Sequence, residues 1–196
     1  RNKKILVTGG TGCIGSEIVR RLLKYKPNVV RIFSNDEHDM FTMMQDLGTD
    51  IKKRYLMGDV RDKYRLVKAM DGIDIVYHAA ALKHVPICEY NPFEAIQTNV
   101  LGTQNVIEAS FYNNVEKVVS ISTDKAVNPV SIMGATKLLS ERIITDANWA
   151  KGKRKTVFSC VRFGNVSFSR GSVIPLFERQ IKEKKTVAIT DPAMTR

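Results

Sequence analysis

A glycine-rich segment near the amino terminus has the residue types and spacing of a phosphate-binding loop. Residues 8–15 read TGGTGCIG and stand between an apolar run and an amphipathic stretch of helical period. Here Gly9 permits a tight turn, Gly12 lets the backbone approach a pyrophosphate, and Gly15 lets the helix pack closely on the strand. Free N–H groups at the helix N-terminus would then bind the phosphates. A glycine-rich turn without a ligand is the alternative, and the flanking strand and helix favour the phosphate loop.

The residue that follows the second predicted strand bears on the choice between NAD and NADP. A carboxylate there holds the ribose 2′-hydroxyl of the adenosine, whereas a neutral or basic residue tolerates a 2′-phosphate. In this chain Ser34 is followed by Asn35 and Asp36. Ser34 lacks the negative charge that would repel NADP, but no arginine or lysine follows it to bind the 2′-phosphate. The sequence therefore favours NADP slightly and leaves NAD open.

Two more segments follow predicted strands directly. Asp59 and Val60 come after the third strand, where an adenine would lie and Asp59 can accept a hydrogen bond from its amino group. The three alanines at 79–81 come after the fourth strand and offer small side chains where a dinucleotide passes over the sheet edge. Plain packing is the alternative for these alanines.

The elements that must position these segments alternate between strands and helices. Strand-like runs at 5–8, 29–33, 54–57, 73–78, 115–120 and 156–162 alternate with helical stretches near 14–25, 40–47, 62–70, 92–112 and 133–149. Right-handed crossovers between such strands give a parallel sheet with helices on both faces. The predicted fold is α/β, a doubly wound parallel Rossmann sheet, which binds ligands at the carboxyl ends of its strands.

The composition excludes several classes of protein. Of 196 residues, 43% are apolar and 26% charged, which is typical of a globular protein. No apolar run approaches the roughly 18 to 20 residues of a membrane span, and no signal peptide precedes the first strand. We therefore expect no membrane span and a cytoplasmic location. Cysteines 13, 88 and 160 are too far apart for a CxxC pair, so no disulfide framework or metal site is predicted.

The charge favours an anionic ligand. Lysine and arginine number 31 against 20 acidic residues, a net charge of +11. The densest basic runs, at 151–155 and 182–185, lack the interleaved aromatic residues of a nucleic-acid platform, so a nucleic-acid partner is not expected.

Further motifs in the chain resemble those of a known family. They are GDVRD at 58–62, HAAALKHVP at 78–86, STDKAVNP at 122–129, MGATK at 133–137, and RFGNV and SRGSVIPLF between 162 and 177. In this order they resemble the extended short-chain dehydrogenase/reductases, and within them the UDP-N-acetylglucosamine 4,6-dehydratases of the CapD-like polysaccharide biosynthesis family. The resemblance covers essentially the whole chain. It implies UDP-N-acetylglucosamine or a related nucleotide sugar as substrate, an NAD(P) cofactor and a homo-oligomer.

The resemblance also implies a catalytic group with one unusual member. Most of the superfamily places a tyrosine four residues before a lysine, because the two then share a helix face and the ammonium favours the phenolate. Met133 stands in the tyrosine's place, as in one branch of the dehydratases, and methionine cannot move a proton. Lys125 would then take the C5 proton of a 4-keto sugar, and Asp124 would protonate the leaving C6 hydroxyl. Thr123 would hydrogen-bond the C4 oxygen, and Lys137 would hold the nicotinamide ribose. A surface ion pair is the alternative for Asp124 and Lys125.

The binding residues that these observations and the resemblance assign fall into two sets. The cofactor set is Gly9, Thr11, Gly12, Cys13, Ile14, Gly15, Ser34, Asn35, Asp59, Val60, Ala79, Ala80, Ala81, Lys83, Ser122 and Lys137. The substrate set is Lys83, His84, Thr123, Asn165, Ser169, Arg170 and Val173. Asn99 remains open between a site residue and a structural hydrogen-bond partner.

Residues 1–166 are predicted to form the NAD(P)-binding Rossmann domain, and 167–196 the start of a smaller, truncated nucleotide-sugar-binding lobe. About 100 further residues would complete the usual two-part architecture. Two other functions stay open. One is a nucleotide-sugar 4-epimerase, which needs no acid at C6. The other is a catalytically lapsed NAD(P)-binding module, which Met133 suggests and the retained residues 123–125 argue against.

Overall fold

A six-stranded parallel sheet organises the first of two units in the chain. The computed structural model describes residues 2–167, 172–187, 189, 191 and 193, and the first unit ends at Gly164. The strands are β1 (Lys4–Thr8), β2 (Val29–Ser34), β3 (Lys53–Met57), β4 (Ile75–His78), β5 (Lys117–Thr123) and β6 (Val157–Phe163). Their order in the sheet is β3-β2-β1-β4-β5-β6. This is the strand order of the Rossmann fold, and the predicted fold class is confirmed. The predicted division of functions at residue 166 stays a prediction.

Helices connect the strands. They are α1 (Cys13–Lys24), α2 (Glu37–Leu47), α3 (Lys63–Ala69), α4 (Val85–Tyr90), α5 (Pro92–Ala95), α6 (Gly102–Tyr112) and α7 (Ile132–Ala150). A π-helical turn (Ile96–Leu101) joins α5 to α6, and a 3₁₀ turn (Asp124–Ala126) follows β5. The second unit, which begins at Asn165, contains α8 (Val173–Lys182).

The buried residues of β1 show how the sheet acquires two cores. Successive side chains of a strand point to opposite faces, so Leu6 and Val7 enter different clusters. Leu6 packs with side chains of α3, α6 and α7, whereas Val7 packs with Val19 of α1 and with Met40 and Met43 of α2. Each such side chain contributes about 1.5–3 kcal/mol when it is fully buried. Helices therefore cover both faces of the sheet and leave its carboxyl edge for ligands.

The strand register brings the carboxyl ends of the central strands to one edge. Thr8 pairs with Phe33 of β2 and with His78 of β4, and His78 pairs with Ser120 of β5. The loops that follow Thr8, Ser34 and His78 therefore lie side by side.

Several predicted boundaries shift in the structure. β4 begins at Ile75, because Ile73 is in a turn where its N–H donates to the Met70 carbonyl. β5 runs to Thr123 instead of Ser120, since it pairs with β6 as far as Phe163. The single helix predicted over 92–112 is interrupted by the π-helical turn, and helices α4 and α8 were not predicted from the sequence.

Candidate functional site

The glycine loop joins β1 to α1 by a turn that requires glycine. Gly9 has a φ of +62°, and a Cβ on it would lie 2.6 Å from the backbone nitrogen of Ala80. A Cβ on Gly15 would overlap the Gly9 carbonyl, so the close approach predicted for Gly15 is made to this loop. The Gly12 N–H donates to the Gly9 carbonyl at 3.0 Å, and Gly12 is the N-cap of α1. The loop thereby presents the N-terminus of α1 toward the sheet edge.

Beside this loop is a cleft of about 330 Å³. It runs along the carboxyl ends of β1, β2, β3 and β4. The predicted cofactor residues that line it are Gly9, Thr11, Gly12, Ser34, Asn35, Asp59, Val60, Ala79, Ala80 and Ala81. The other lining residues, which were not predicted from the sequence, are Phe33, Asp36, Asp39, Gly58, Arg61, Leu82, Glu94 and Thr98. Cys13, Ile14, Gly15, Lys83, Ser122 and Lys137 are not part of its lining.

Ser34 closes the end of β2 with a hydroxyl that has two partners. Its Oγ lies 2.7 Å from the Oγ1 of Thr11 in the glycine loop and accepts from the Asp36 N–H at 3.2 Å. The residue is only 6% exposed. Ser34 therefore connects the glycine loop to the turn before α2.

Four side chains that line the cleft near the end of β3 are joined by hydrogen bonds and ion pairs. Arg61 donates to the carboxylates of Asp59 at 2.8 Å and of Glu94 at 2.9 Å. Asn35 donates to the same Asp59 oxygen at 3.1 Å. Burial opposes the charged form of Asp59, but the hydrogen bonds from Arg61 outweigh it and hold the pKa of that carboxyl below its usual value. Asp59 is thus an ionised acceptor at the predicted adenine position.

The predicted catalytic trio forms one hydrogen-bonded group. Thr123 Oγ1 donates to Asp124 Oδ1 at 3.0 Å, and Lys125 Nζ donates to the same oxygen at 3.3 Å. The Lys125 backbone N–H donates to Thr123 Oγ1 at 3.3 Å, which caps the 3₁₀ turn. The side chains of Asp124 and Lys125 are 29% and 37% exposed, so the pair is accessible yet partly desolvated.

Helix α7 packs against the carbonyl of Lys125. Ser131 caps the helix by accepting from the Gly134 N–H at 3.1 Å. A Cβ on Gly134 would overlap the Lys125 carbonyl oxygen, so this close approach requires glycine. Met133 is 4% exposed and packs with Cys88 of α4 and Ala95 of α5. The structure therefore assigns the Met133 side chain a packing role.

Lys137 is the buried cation of this helix. Its Nζ donates to the Ile121 carbonyl at 2.6 Å, and the residue is 8% exposed. Burial lowers the pKa of its ammonium, and the neighbouring Cys160 and Glu141 oppose this effect. Ser122, which follows Ile121 in β5, is 4% exposed. Neither side chain reaches the lining of the cleft.

The predicted substrate residues belong to both units of the chain. Lys83 and His84 are exposed, and His84 is the N-cap of α4. Asn165 and Val173 belong to the second unit, where Val173 is the first residue of α8. Ser169 and Arg170 lie outside the described residues. The roles assigned to these six residues stay predictions.

The structure shows Asn99 as a structural hydrogen-bond partner. It is 1% exposed on the π-helical turn and bonds both backbone groups of Leu82, a residue that lines the cleft. The other buried polar residues beneath this loop include His78, whose ring nitrogens lie 2.7 Å from Thr8 Oγ1 and 3.1 Å from Thr103 Oγ1. Burial lowers the pKa of His78 to about 3, so its ring is neutral.

A family model described as "Polysaccharide biosynthesis protein" matches residues 5–196. The chain belongs to this family. This match and the relatives described next confirm the predicted family among the extended short-chain dehydrogenase/reductases.

Relatives of the chain carry three kinds of name. A Methanocaldococcus jannaschii protein named "Uncharacterized membrane protein MJ1061" is 58% identical over the whole chain and 59% of its own length. A Campylobacter jejuni protein named UDP-N-acetylglucosamine 4,6-dehydratase (inverting) is 51% identical over 99% of the chain and 58% of its own length. A Rickettsia bellii protein named UDP-glucose 4-epimerase is 47% identical over the whole chain and 58% of its own length. The chain thus spans under two thirds of these relatives.

Two solved structures share the fold. Pen from Bacillus thuringiensis is 50% identical, with a TM-score of 0.96 over 99% of this chain and 62% of its own. DesIV from Streptomyces venezuelae, a dTDP-glucose 4,6-dehydratase with NAD bound, is 25% identical, with a TM-score of 0.83 over 94% of this chain and 63% of its own.

Neither a membrane-spanning helix nor a group of metal ligands occurs among the described residues. None of the helices placed by the structure has the length and apolar character needed to cross a membrane. Within the same ranges, no three histidine, cysteine or acidic side chains are grouped as metal ligands.

Proposed function

We propose that the full-length protein is a nucleotide-sugar 4,6-dehydratase that acts on UDP-N-acetylglucosamine with a nicotinamide dinucleotide. The observation that carries the proposal is the hydrogen-bonded group of Thr123, Asp124 and Lys125 at the carboxyl end of β5. It provides an acid and a base on the sheet edge that also carries the glycine loop. The dehydratase relative from Campylobacter jejuni supports the same reaction class.

The glycine loop fits a dinucleotide. Gly9 and Gly12 carry no side chain where the loop faces the cleft, and the first turn of α1 offers N–H groups to phosphates. Small alanines at 79–81 leave room along the same edge. A bound nicotinamide supplies the oxidation of the sugar C4 hydroxyl and the final reduction at C6.

The contact between Lys125 and Asp124 can supply both partners of the elimination. Lys125 Nζ donates to Asp124 Oδ1, so transfer of that one proton along the hydrogen bond gives a neutral amine and a neutral carboxylic acid. The amine is then the base that takes the C5 proton of the 4-keto sugar, and the acid protonates the departing C6 hydroxyl. The C5–H and C6–O bonds break, a C5–C6 double bond forms, and water leaves. The original ion pair is restored at the end of the step.

In this proposal Thr123 is a positioning residue, and Lys137 acts through its positive charge. Thr123 Oγ1 donates to Asp124 and holds the carboxylate next to Lys125. Lys137 donates to the Ile121 carbonyl, so its positive charge lies beneath the carboxyl end of β5. A charge in this place favours negative charge developing on the sugar C4 oxygen.

A 4-epimerase is the second candidate, and the Rickettsia bellii relative with that name favours it. An epimerase oxidises C4 to a ketone, reduces it again from the opposite face, and needs no acid at C6. The paired Asp124 and Lys125 favour dehydration over epimerisation, and they also count against a lapsed binding module.

The test is incubation of the full-length protein with UDP-N-acetylglucosamine while the products are followed by NMR. We expect a 4-keto-6-deoxy sugar and no net consumption of nicotinamide, because the reduction at C6 returns what the oxidation at C4 removed. A C4 epimer without loss of water would support the epimerase instead. Accumulation of reduced nicotinamide in proportion to product would contradict both functions.

A further inference from the structure

The loops at the amino ends of the strands form one continuous edge of the sheet, opposite the cleft. Backbone hydrogen bonds join neighbouring loops along it. The Asn28 N–H donates to the Lys3 carbonyl at 3.0 Å. The Asp74 N–H donates to the Lys4 carbonyl at 2.9 Å, and the Asp74 carbonyl accepts from the Glu116 N–H at 2.8 Å. Six parallel strands about 4.8 Å apart make this edge about 24 Å long. We call it the amino edge, and it comprises residues 2–4, 24–28, 50–53, 71–74, 112–117 and 149–156.

The amino edge is strongly basic. It contains eleven lysine and arginine residues against four acidic residues, a net charge of +7, whereas the whole chain carries +11. The segment KGKRK at 151–155 contributes most, and its Lys153 and Lys155 are exposed. One of the four acids, Asp50, is already paired with Lys53 at 3.2 Å. Most of the net positive charge of the chain is therefore concentrated on the edge that lies farthest from the cleft.

Four of the five helix-to-strand loops on this edge also expose a large apolar side chain. The exposed fractions are 75% for Tyr25, 79% for Ile51, 75% for Tyr112 and 89% for Trp149. They precede β2, β3, β5 and β6. Side chains exposed to this degree project from the surface and do not line a groove. Water contact with apolar surface is unfavourable, so burial of these side chains against a partner would be favourable.

The helix dipole explains only part of this pattern. Lys24 lies in the last turn of α1, where a cation complements the partial negative charge of the helix end. The last turn of α7 contains no basic residue, and the basic segment 151–155 lies beyond it. The dipole also gives no reason for the exposed rings of Tyr25 and Trp149.

Cations beside exposed aromatic rings are a combination that suits the surface of an anionic bilayer. Lysine and arginine are attracted to acidic headgroups, and tryptophan and tyrosine favour the interface, where an apolar ring and a polar tip meet both phases. We infer that the amino edge docks the protein on an anionic lipid bilayer. The cleft at the opposite ends of the strands then faces away from the bilayer and stays open to its ligands. The inference does not depend on the proposed function, because none of the amino-edge residues lines the cleft.

The experiment is co-sedimentation of the full-length protein with vesicles of phosphatidylglycerol and phosphatidylcholine, and with vesicles of phosphatidylcholine alone. We expect the anionic vesicles to bind at least about tenfold more tightly. This binding should weaken as salt is added, because exposed charges are screened. Equal binding to both vesicles, or no binding to either, would overturn the inference. Tighter binding to duplex DNA than to the anionic vesicles at the same salt concentration would assign the edge to a nucleic acid and also overturn it. The dehydratase assay without vesicles is a separate measurement, so the proposed function stands or fails independently.

Two charge variants test whether the amino edge is the surface that binds. Lys153→Glu should weaken binding to the anionic vesicles by about tenfold or more, because it replaces an attracted charge with a repelled one. Lys63→Glu makes the same charge change at an exposed position at the start of α3, outside the amino edge. It should change binding less than about twofold, since charges beyond a screening length contribute little. Equal losses in the two variants would show that overall charge, and not this edge, determines binding, and would overturn the inference.

A second pair of variants tests the aromatic contribution. Trp149→Ala should weaken vesicle binding by about tenfold or more, because an inserted ring buries a large apolar area. Tyr90→Ala removes a ring that is 88% exposed at the end of α4, outside the amino edge, and should leave binding nearly unchanged. Equal binding of these two variants would contradict insertion of the Trp149 ring and overturn the inference in this form. Thermal unfolding of all four variants checks that each remains folded.

Discussion

Asn99 holds both backbone polar groups of Leu82 with one side-chain amide. Its Oδ1 accepts from the Leu82 N–H at 2.8 Å, and its Nδ2 donates to the Leu82 carbonyl at 3.0 Å. Nδ2 also donates to Thr136 Oγ1 of α7 at 3.0 Å. The residue lies on the π-helical turn, and such turns often occur at functional sites. One buried amide therefore fixes the loop after β4, which lines the cleft, to two helices.

Replacement of Asn99 by alanine should destabilise the chain and loosen this loop. The change leaves the partly buried N–H and carbonyl of Leu82 without their partner, and an unsatisfied group costs about 1–3 kcal/mol when it is fully buried. We expect a loss of about 2–4 kcal/mol in urea unfolding, with weaker dinucleotide binding. Gln97→Ala, on the same turn, is the control. Unfolding of Asn99→Ala at the same urea concentration as this control would contradict the account.

His78 should make the stability of the fold depend on pH. Thr103 donates its only hydroxyl proton to the Asn99 carbonyl, so His78 Nε2 must donate to Thr103 while Nδ1 accepts from Thr8. A second ring proton would face a hydroxyl that already donates to the ring. Burial lowers the pKa of His78 to about 3 in the folded chain, against about 6.5 when unfolded.

The sign of this effect follows from proton binding. Between pH 6.5 and 3 the unfolded chain binds a proton that the folded chain does not, so the free energy of unfolding falls as the pH falls. The loss is about 2 kcal/mol at pH 5. His78→Gln should flatten the curve of stability against pH, although it lowers stability throughout. His84→Gln, at an exposed histidine, should keep the original slope. Parallel curves for His78→Gln and the unmodified chain would exclude His78 as the source.

The parts of the site that the sequence predicted are those encoded by contiguous residues. The glycine loop combines its turn, its close approaches and its helix start in residues 8–15, so its pattern is visible without tertiary information. The trio at 123–125 is likewise local, because its hydrogen bonds join neighbours along the chain.

The parts that were missed depend on contacts between distant segments. Glu94 reaches Arg61 from α5, 33 residues further along the chain, and no periodicity signals that pairing. Asp36 and Asp39 follow β2 at the ligand-binding edge, but only the approach of the loops after β1, β3 and β4 shows that they line the cleft. β5 was ended too early because Ser120 and Ser122 are weak strand formers, and only pairing with β6 and burial under α7 keep them in the strand.

Met133 should matter for stability more than for chemistry. Because it is 4% exposed and packed with Cys88 and Ala95, Met133→Ala should cost about 2–5 kcal/mol of unfolding free energy. Met133→Leu should cost less than about 1.5 kcal/mol. Leu139→Ala, at a residue of the same helix that is 52% exposed, should cost little. Both Met133 variants should retain turnover in the full-length protein below their unfolding temperatures, since methionine transfers no proton. A loss of turnover in folded Met133→Leu as large as that of a catalytic base would contradict this role.

Lys125 is the residue on which the dehydratase proposal can be tested most directly. Its Nζ donates to Asp124, so removal of the amine takes away the base and also the source of the proton on the acid. General-base help contributes about 10²- to 10⁴-fold in rate. This corresponds to about 3 to 5.5 kcal/mol of barrier.

Lys125→Ala in the full-length protein should therefore slow dehydration by at least about 100-fold while dinucleotide affinity, which depends on the glycine loop and the cleft, stays nearly unchanged. Solvent-deuterium exchange at C5 of the sugar should fall by the same factor, because exchange needs the same base. Lys117→Ala removes the same side chain from the exposed first residue of β5, at the opposite end of the strand, and should leave both rates within about twofold, as expected for a surface position. If C5 exchange continued at the normal rate in Lys125→Ala, Lys125 would not be the base. Asp124 would then be the better candidate, and exchange in Asp124→Asn should collapse instead.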